Sequence, residues 1–193
     1  HESRSPPNSN ASQIETEDPS PHPNYQTILS EDRLENVIEA IQQEDGQFFA
    51  YTENGRERTD VEVVSWAREV QERGAGEILL TSIDREGTGT GYDLNLIESV
   101  SKQVSIPVIA HGGAGNYQHM VDAVCKGGAD AVASASMFHY GLICQKGSHS
   151  YHDEEGNVDF LKLGSSYKKF GKDDINTVKK NMLQAGVSLR YHE

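Results

Sequence analysis

The chain has 193 residues, with 30 acidic and 17 basic side chains and a formal net charge of -13. Such a charge repels nucleic acid and anionic membranes, so neither is expected as a partner, although backbone amides can still bind phosphate. No stretch approaches the roughly 20 apolar residues of a membrane span, and the two cysteines are interpreted as reduced thiols of a cytoplasmic protein.

Residues 1–30 are predicted to form a disordered tail. They contain five of the six prolines and no glycine, and they are rich in Ser, Asn and Glu. A segment of this composition buries too little apolar surface to offset the entropy lost on ordering. We therefore assign the folded unit to residues 31–193.

Segment 31–43 supports two interpretations. Residues 30–32 (SED) could cap a helix that carries the apolar side chains of this segment on one face. The run Val37–Ile41 could equally be part of a strand. The sequence alone leaves both open.

A strand and a helix are predicted next. Residues 47–52 (QFFAYT) indicate a strand, and Asn54-Gly55 is a strong turn signal. Asp60 is then expected to open a helix with an apolar face, and Gly74 is expected to end it.

From residue 77 onward, short apolar runs alternate with helix-like segments. The pattern predicts strands at 77–82, 106–110 and 129–134 and helices at 93–103 and 117–127. The strand starts lie 29 and 23 residues apart, close to the roughly 31 residues per unit of an eight-unit barrel. The rhythm indicates a parallel α/β fold built from βα units.

Two glycine-rich turns follow the first two of these strands. They are EGTGTG at 86–91 and HGGAG at 111–115. Glycine lets backbone N–H groups approach a ligand, and the helix that follows presents its positive end. Such loops lie together at the carboxyl ends of parallel strands, so the sequence predicts a phosphate-binding site there.

The C-terminal part departs from this rhythm. Residues 141–173 are polar and are interpreted as an inserted loop. Asp173-Asp174 is expected to start a last helix that runs to about Gln184, and Val187–Arg190 to form a closing strand-like run. No spacing of Cys and His fits a common metal site, so neither a metal nor a cofactor is predicted.

Five segments, in order and at the right spacing, resemble the cyclase subunit of imidazole glycerol phosphate synthase. They are DGQFFAYT at 45–52, Trp66 with AREVQERGAGEILLTSIDREGT at 67–88, GYD at 91–93, IPVIAHGGAGN at 106–116 and GADAVASASMFH at 128–139. The likeness runs from about Gly46 to Arg190. It implies a (β/α)8 TIM-barrel type fold of which only the C-terminal half is present.

The resemblance also implies a lyase of histidine biosynthesis. That family takes ammonia from a glutaminase partner and uses it to cleave and cyclise a ribulosyl bisphosphate intermediate. The products are imidazole glycerol phosphate and an aminoimidazole carboxamide ribonucleotide. The expected partners are therefore a phosphorylated ribosyl or ribulosyl substrate, a glutaminase subunit and, for half a barrel, a second half-barrel.

Carried over position by position, the resemblance implies a set of site residues. Those expected at the substrate phosphate are Glu86, where the family usually carries Asp, and Gly87, Gly112, Gly113, Ala135 and Ser136. Thr81 and Asp84 are expected to contact substrate, and Glu77 to belong to the gate of the ammonia tunnel. His111 stands where a small residue such as Ser is expected.

The catalytic carboxylates are the main departure from the family. The family uses two aspartates, at the ends of its first and fifth strands, as general base and acid. The first has no equivalent here, and Gln42 occupies the second position if Val37–Ile41 is the fifth strand. An amide cannot transfer a proton at neutral pH as a carboxyl group can, which leaves the catalytic residues unassigned, with Asp84 as a candidate.

Three functions remain open at this stage. The first is a cyclase-type lyase of histidine biosynthesis. The second is a paralogue that supplies ammonia to a sugar-modifying amidotransferase of polysaccharide synthesis, which the loop 141–173 favours. The third is a non-catalytic half-barrel that binds phosphate, which the missing carboxylates favour.

Overall fold

The computed structural model describes residues 37–53, 55–146, 170–171 and 173–190. Its strands are β1 (Val37–Gln42), β2 (Phe48–Thr52), β3 (Glu57–Glu62), β4 (Ile78–Ser82), β5 (Val108–His111) and β6 (Ala131–Val132). Its helices are α1 (Val63–Glu72), α2 (Leu94–Ser101), α3 (Tyr117–Cys125), α4 (Ser136–Lys146) and α5 (Ile175–Gln184). None of these helices is long and apolar enough to span a membrane. The predicted tail 1–30 lies outside the described residues.

The strands lie in the order β3-β2-β1-β4-β5-β6 in one sheet. β1, β4, β5 and β6 pair in parallel, and helices connect β4, β5 and β6, as parallel neighbours require. β2 and β3 form an antiparallel hairpin that extends the sheet beyond β1. Glu53 and Gly55 in its turn both have positive φ, as the turn signal at Asn54-Gly55 leads one to expect.

Side chains alternate between a packed and an open face of the sheet. The packed face carries Ile38, Ala40, Ile78, Leu80 and Val108, each at most 1% exposed. They lie in one apolar cluster with side chains of α1 and α2 such as Trp66 and Leu96. The residues between them along β1, β4 and β5, other than Thr81 and Ser82, are half-exposed or exposed. Among the described residues the helices therefore cover one face, as expected for a barrel wall that is not closed.

A cavity of about 430 Å³ lies on the helix side of β6. Its apolar lining comes mainly from α3, α5 and the segment 187–189, and includes Met120, Val124, Val178, Met182, Val187 and Leu189. Its polar lining comes from Asp130, Ser134, Lys179 and Ser188. Because β6 is also the last strand of the sheet, this side of the fold is the less completely packed one.

Most predicted elements are confirmed, with shifted ends. The strands at 47–52, 77–82 and 106–110 correspond to β2, β4 and β5, and the helices at 93–103 and 117–127 to α2 and α3. The last helix is α5, and Asp174 caps it by accepting a hydrogen bond from the Thr177 N–H. Over residues 37–42 the strand interpretation is right and the helical one is wrong. The strand predicted at 129–134 is reduced to the two residues of β6.

Asp60 does not open a helix, as the sequence had suggested, but lies in β3 with a φ of 59°. Helix α1 begins three residues later, where the Glu62 carboxylate accepts from the N–H groups of Val64 and Ser65. Strand β3 was missed because five of its six residues are polar, so its apolar signal is weak.

Two C-terminal predictions are also wrong. The start predicted for the inserted loop 141–173 is too early, because residues 141–146 belong to α4. The remainder of that predicted loop lies largely outside the described residues. Val187–Arg190 is not a strand: Val187 is buried in the cluster around α3 and α5, but the segment pairs with no strand of the described sheet.

Candidate functional site

The carboxyl ends of the parallel strands bring the predicted loops to one edge of the sheet. β1, β4 and β5 end at Gln42, Ser82 and His111, and β6 ends at Val132. Because the strands are parallel neighbours, the loops that follow them lie side by side. Of the predicted site residues, only Glu77 lies at the other end, where it is exposed just before β4.

Gln42 and Asp84 are brought into direct contact. The backbone N–H of Gln42 donates to Oδ2 of Asp84 at 2.8 Å. Both residues are exposed, and the Gln42 side chain turns to the Gly46 carbonyl at 3.4 Å. The carboxylate of Asp84 is therefore held at the end of β1, next to Gln42, which the resemblance matches to the family's second catalytic aspartate if β1 is the fifth strand. Sequence spacing of 42 residues gave no sign of this contact.

The loop after β4 begins as a tight helical turn. The N–H groups of Arg85 and Glu86 both donate to the Ser82 carbonyl, and the Thr88 N–H donates to the Arg85 carbonyl. Glu86 is exposed, and Gly87 has a φ of 69°, which glycine adopts without strain. Within the described residues the Gly87 N–H donates to no acceptor, so it is free to bind a ligand.

Thr81 and His111 form a second pair across β4 and β5. They are register partners, and Oγ1 of Thr81 lies 3.1 Å from Nδ1 of His111. Thr81 is buried, with 5% of its surface exposed, whereas His111 is half-buried. The hydroxyl predicted to contact substrate is thus occupied by the imidazole next to it.

The paired glycines of the second loop serve close packing of the backbone. A Cβ on Gly112 would lie 2.6 Å from the Ser82 carbonyl oxygen, and one on Gly113 would lie 2.2 Å from the Gly91 carbonyl oxygen. The Gly91 N–H donates to the Gly113 carbonyl at 2.8 Å, which joins the two glycine-rich loops. These glycines are therefore required by the fold itself, whatever ligand the loops bind.

Backbone donors remain available beside that contact. The N–H groups of Gly113 and Ala114 donate to no acceptor in the part of the chain that the structure describes. Asn116 caps α3 by accepting from the His119 N–H, and Nδ1 of His119 accepts from the Gly115 N–H. Burial lowers the pKa of His119, the nearby Asp122 opposing this, so the ring tends to stay neutral and the loop keeps its shape.

The third loop is tied to the first by Tyr92. Its hydroxyl donates to the Ala133 carbonyl at 2.8 Å, and burial raises its pKa well above the usual value. Ala135 is exposed, and its carbonyl accepts from the His139 N–H in the first turn of α4. Ser136 begins that helix, whose first turn carries no acidic residue. An anion at this end of α4 would meet free N–H groups and no carboxylate in the turn.

Three residues of the edge were not predicted from the sequence. Tyr92 acts through a tertiary contact with Ala133, 41 residues away, and His119 through a local contact with the Gly115 N–H that needs the turn before α3. Ser82 is 2% exposed, and its Oγ has no hydrogen-bond partner among the described residues. No group of His, Cys, Asp and Glu within the described residues is arranged to hold a metal ion.

Comparison with known proteins identifies the family of this chain. The model of the family described as "Histidine biosynthesis protein" matches residues 22–144. The "Imidazole glycerol phosphate synthase subunit HisF" of Alkaliphilus metalliredigens (strain QYMF) is 55% identical over 96 residues. That match covers 50% of this chain and 38% of the relative, so the chain spans well under half of a protein it resembles. The family match and the open, mainly parallel sheet together confirm the predicted half-barrel fold class.

Among solved structures, the chain resembles the "Crystal structure of Amycolatopsis orientalis BexX/CysO complex". The sequence identity is 16% and the TM-score is 0.37, with 67% of this chain and 44% of that one covered. A likeness this low carries no argument about fold or function.

Proposed function

Because the chain belongs to the histidine biosynthesis protein family, we propose that it is the sugar-phosphate-binding half of an imidazole glycerol phosphate synthase cyclase. In this proposal it acts as a lyase on a phosphorylated ribulosyl substrate. The observation that carries it is the juxtaposition at the carboxyl ends of β1, β4 and β5. Asp84, three backbone N–H groups that donate to no acceptor among the described residues, and the buried Thr81 all lie on that edge.

Backbone amides are the proposed phosphate ligands. The N–H groups of Gly87, Gly113 and Ala114 are without acceptors among the described residues, and the first turn of α4 at Ser136 adds the positive end of a helix. Such donors bind phosphate without cationic side chains, which suits a chain of net charge -13. Gly112 contributes by letting the loop pass close to β4, and Ala135 by adding no bulk before α4.

Asp84 is the proposed proton-transfer group. Its carboxylate sits against the N–H of Gln42, beside the position of the missing aspartate. A single carboxylate there could take up or return one proton, but the second carboxyl group that the family uses has no counterpart among the residues of this edge. Glu86 is the alternative acid. It is exposed on the same loop, farther along the chain from the end of β4 than Asp84 is. We therefore propose weak activity for the chain alone.

The proposed partners are a glutaminase and a second half-barrel. A glutaminase would supply ammonia from the amino end of the strands, where Glu77 lies exposed at the start of β4. A second half-barrel would pair with the edge strand β6 and cover the open face of the sheet. It would also bring the missing first-strand carboxylate. The cytoplasm is the proposed location, as for other steps of amino-acid synthesis.

A second candidate function is a phosphate-binding half-barrel without catalysis. It is supported by Gln42, whose amide takes the place of a catalytic carboxyl group if β1 corresponds to the family's fifth strand. Sugar phosphate would then bind at the same loops, and Asp84 would serve only to position the end of β1.

Turnover of the purified chain tests the proposal. The substrates are the ribulosyl bisphosphate intermediate and an ammonium salt, and slow but measurable turnover is expected. Asp84→Asn should abolish it, and Gln42→Asp should raise it about 10²-fold, the lower end of the range for general acid–base catalysis. Gln47→Asp is the matched control, because it adds the same charge at an exposed position before β2. Turnover that is absent and not restored by Gln42→Asp would favour the non-catalytic function.

A further inference from the structure

His111 is a titratable group that the proposed reaction does not yet use. It ends β5 immediately before Gly112 and Gly113, and it is half-buried on the open face of the sheet. The resemblance to the family predicts a small side chain here, so the imidazole adds bulk and a variable charge at the mouth of the site. Its position next to a predicted binding loop makes His111 a candidate for contact with the ligand.

The contact with Thr81 fixes the ring in either protonation state. Nδ1 of His111 lies 3.1 Å from Oγ1 of Thr81. A hydroxyl can donate to Nδ1 of the neutral ring or accept from Nδ1–H of the cation. The hydrogen bond thus holds the ring in place, and Nε2 has no hydrogen-bond partner among the described residues. Nε2 is therefore the atom left to meet a ligand.

We propose that His111 is a substrate-contacting residue whose imidazolium donates a hydrogen bond from Nε2 to the phosphate of a sugar phosphate. The inference rests on the proposed function, since it assumes that phosphate binds at the loop 112–116. It adds a pH-dependent affinity that backbone amides cannot supply, because amides do not titrate.

The charged groups near His111 favour a cationic side chain at this position when a phosphate binds. The loop after β4 carries the exposed side chains of Asp84, Arg85 and Glu86, and the Asp84 carboxylate accepts from the Gln42 N–H. From β1, Glu39 is the register partner of Thr81, and its carboxylate accepts from the Gly55 N–H. α3 contributes His119, which burial tends to keep neutral, and the two residues of β6 carry no charge. The edge thus holds more carboxylates than cations, and a phosphate dianion needs compensation.

The sign of the pH effect follows from this arrangement. Imidazole side chains gain a proton as the pH falls through about 6.5, and at that pH a phosphate monoester, whose second pKa is about 6, still keeps most of its second charge. Between about pH 8 and about pH 6.5 the cation forms while the dianion persists. Binding should therefore become tighter as the pH falls across this interval, by about tenfold.

Calorimetric titration with ribose 5-phosphate tests the proposal. The full chain should bind about tenfold more tightly at about pH 6.5 than at about pH 8. His111→Ser should bind as the wild-type chain does at the higher pH, and it should lose the dependence on pH. His139→Ser is the matched control: it removes an exposed histidine from α4 and should keep the tenfold change. Thermal unfolding of each variant checks that the fold is retained.

The alternative outcomes separate the inference from the proposed function. If the wild-type chain binds with the same affinity at both pH values, His111 has no part in binding, whereas the phosphate site itself stands. If His111→Ser binds more tightly than wild type at both values, the imidazole obstructs the site. If His139→Ser, not His111→Ser, removes the pH dependence, the charge assignment is wrong. If the wild-type chain binds at neither pH, the proposed function fails with it.

Discussion

Two regions of the sheet differ in how completely they are packed. The glycine-packed region consists of β1, β4 and β5 with the loops 83–93 and 112–116, where backbone atoms of the two loops touch at Gly91 and Gly113. The cavity region consists of β6, α5 and residues 187–189 around the space of about 430 Å³. The loops of the glycine-packed region are kept in place by contacts within this chain. The cavity region ends in a two-residue edge strand, the side from which a complete barrel would continue.

The predicted site residues are also distributed unevenly between the two regions. All predicted site residues except Glu77, Ala135 and Ser136 lie on or next to the glycine-packed region, whose rigid loops can hold donors in place. Ala135 and Ser136 belong to the boundary, and Tyr92 ties that boundary to the first loop. A ligand site would thus rest on the part of the fold that is complete without a partner.

The largest expected contrast is between core truncations in the two regions. Leu80 is 1% exposed in the centre of β4, and Leu80→Ala should lower the free energy of unfolding by about 4 kcal/mol. Met182 is 6% exposed and already lines the cavity, so Met182→Ala removes fewer contacts and should cost about 2 kcal/mol. Urea denaturation measures both. Equal losses would mean that the cavity region is packed as tightly as the other.

A methyl group at Gly113 should be nearly as damaging. Its Cβ would lie 2.2 Å from the Gly91 carbonyl oxygen at a φ of 105°, so the two loops must separate. We expect Gly113→Ala to lower the free energy of unfolding by about 3 kcal/mol. Gly76→Ala is the control, because a Cβ there meets nothing within 4 Å, and its effect should stay within about 0.5 kcal/mol. A Gly113→Ala chain of unchanged stability would show that the loops are not held together as described.

The same contact changes the use of bulky substitutions as binding tests. If Gly113 served only to bind phosphate, a bulky substitution such as Gly113→Val would block the approach of phosphate and do nothing else. In the structure a side chain at this position strikes the neighbouring loop before it meets a ligand. Weaker sugar-phosphate binding by that variant would therefore also reflect a change in loop packing. The comparison of binding by wild type and His111→Ser at two pH values does not disturb this packing contact.

A smaller effect is expected at the cap of α3. Oδ1 of Asn116 accepts from the His119 N–H at 3.2 Å. Asn116→Ala removes this acceptor and should cost about 1 kcal/mol in unfolding free energy. Gln118→Ala, two residues later on the exposed surface of the same helix, should cost less. A loss at Gln118 equal to that at Asn116 would argue against the cap.

The smallest expected effect is a pH dependence at the cap of α5. The hydrogen bond from the Thr177 N–H lowers the pKa of Asp174, so its contribution to stability is present above the ordinary aspartate pKa of about 4. It is lost as the pH falls through the lower folded value. Asp174→Asn keeps a capping oxygen but cannot titrate, so the difference in Tm between the two chains should shrink in acid. A constant difference would mean that Asp174 does not act as a charged cap.

The sequence predicted those strands, helices and loops that a single short pattern determines. Apolar runs gave β4 and β5, helix periodicity gave α2 and α3, and glycine-rich turns marked the loops at the strand ends. It missed β3, whose polar residues become a strand only by pairing with β2. It also began a loop inside α4, because Gly141 was interpreted as a break and the polar residues after Lys146 dominate the composition of 141–173.

The candidate site was predicted as a set of positions, not as a set of contacts. The hydrogen bond from Gln42 to Asp84 and the pair Thr81 and His111 join residues 42 and 30 positions apart, and such contacts depend on strand register. The glycines were assigned to ligand approach, whereas the structure gives them a role in packing as well. Register and loop packing are tertiary properties, which is why no local pattern revealed them.

The central claim, that sugar phosphate binds where the loops of β4, β5 and β6 meet, is tested most directly by NMR titration of the isotopically labelled chain. With ribose 5-phosphate as the ligand, we predict the largest changes in amide chemical shift at Gly87, Gly113, Ala114 and Ser136. Amides of the cavity region, such as Val178 and Met182, should change little. Shifts confined to the cavity region, or none at saturating ligand, would contradict the claim.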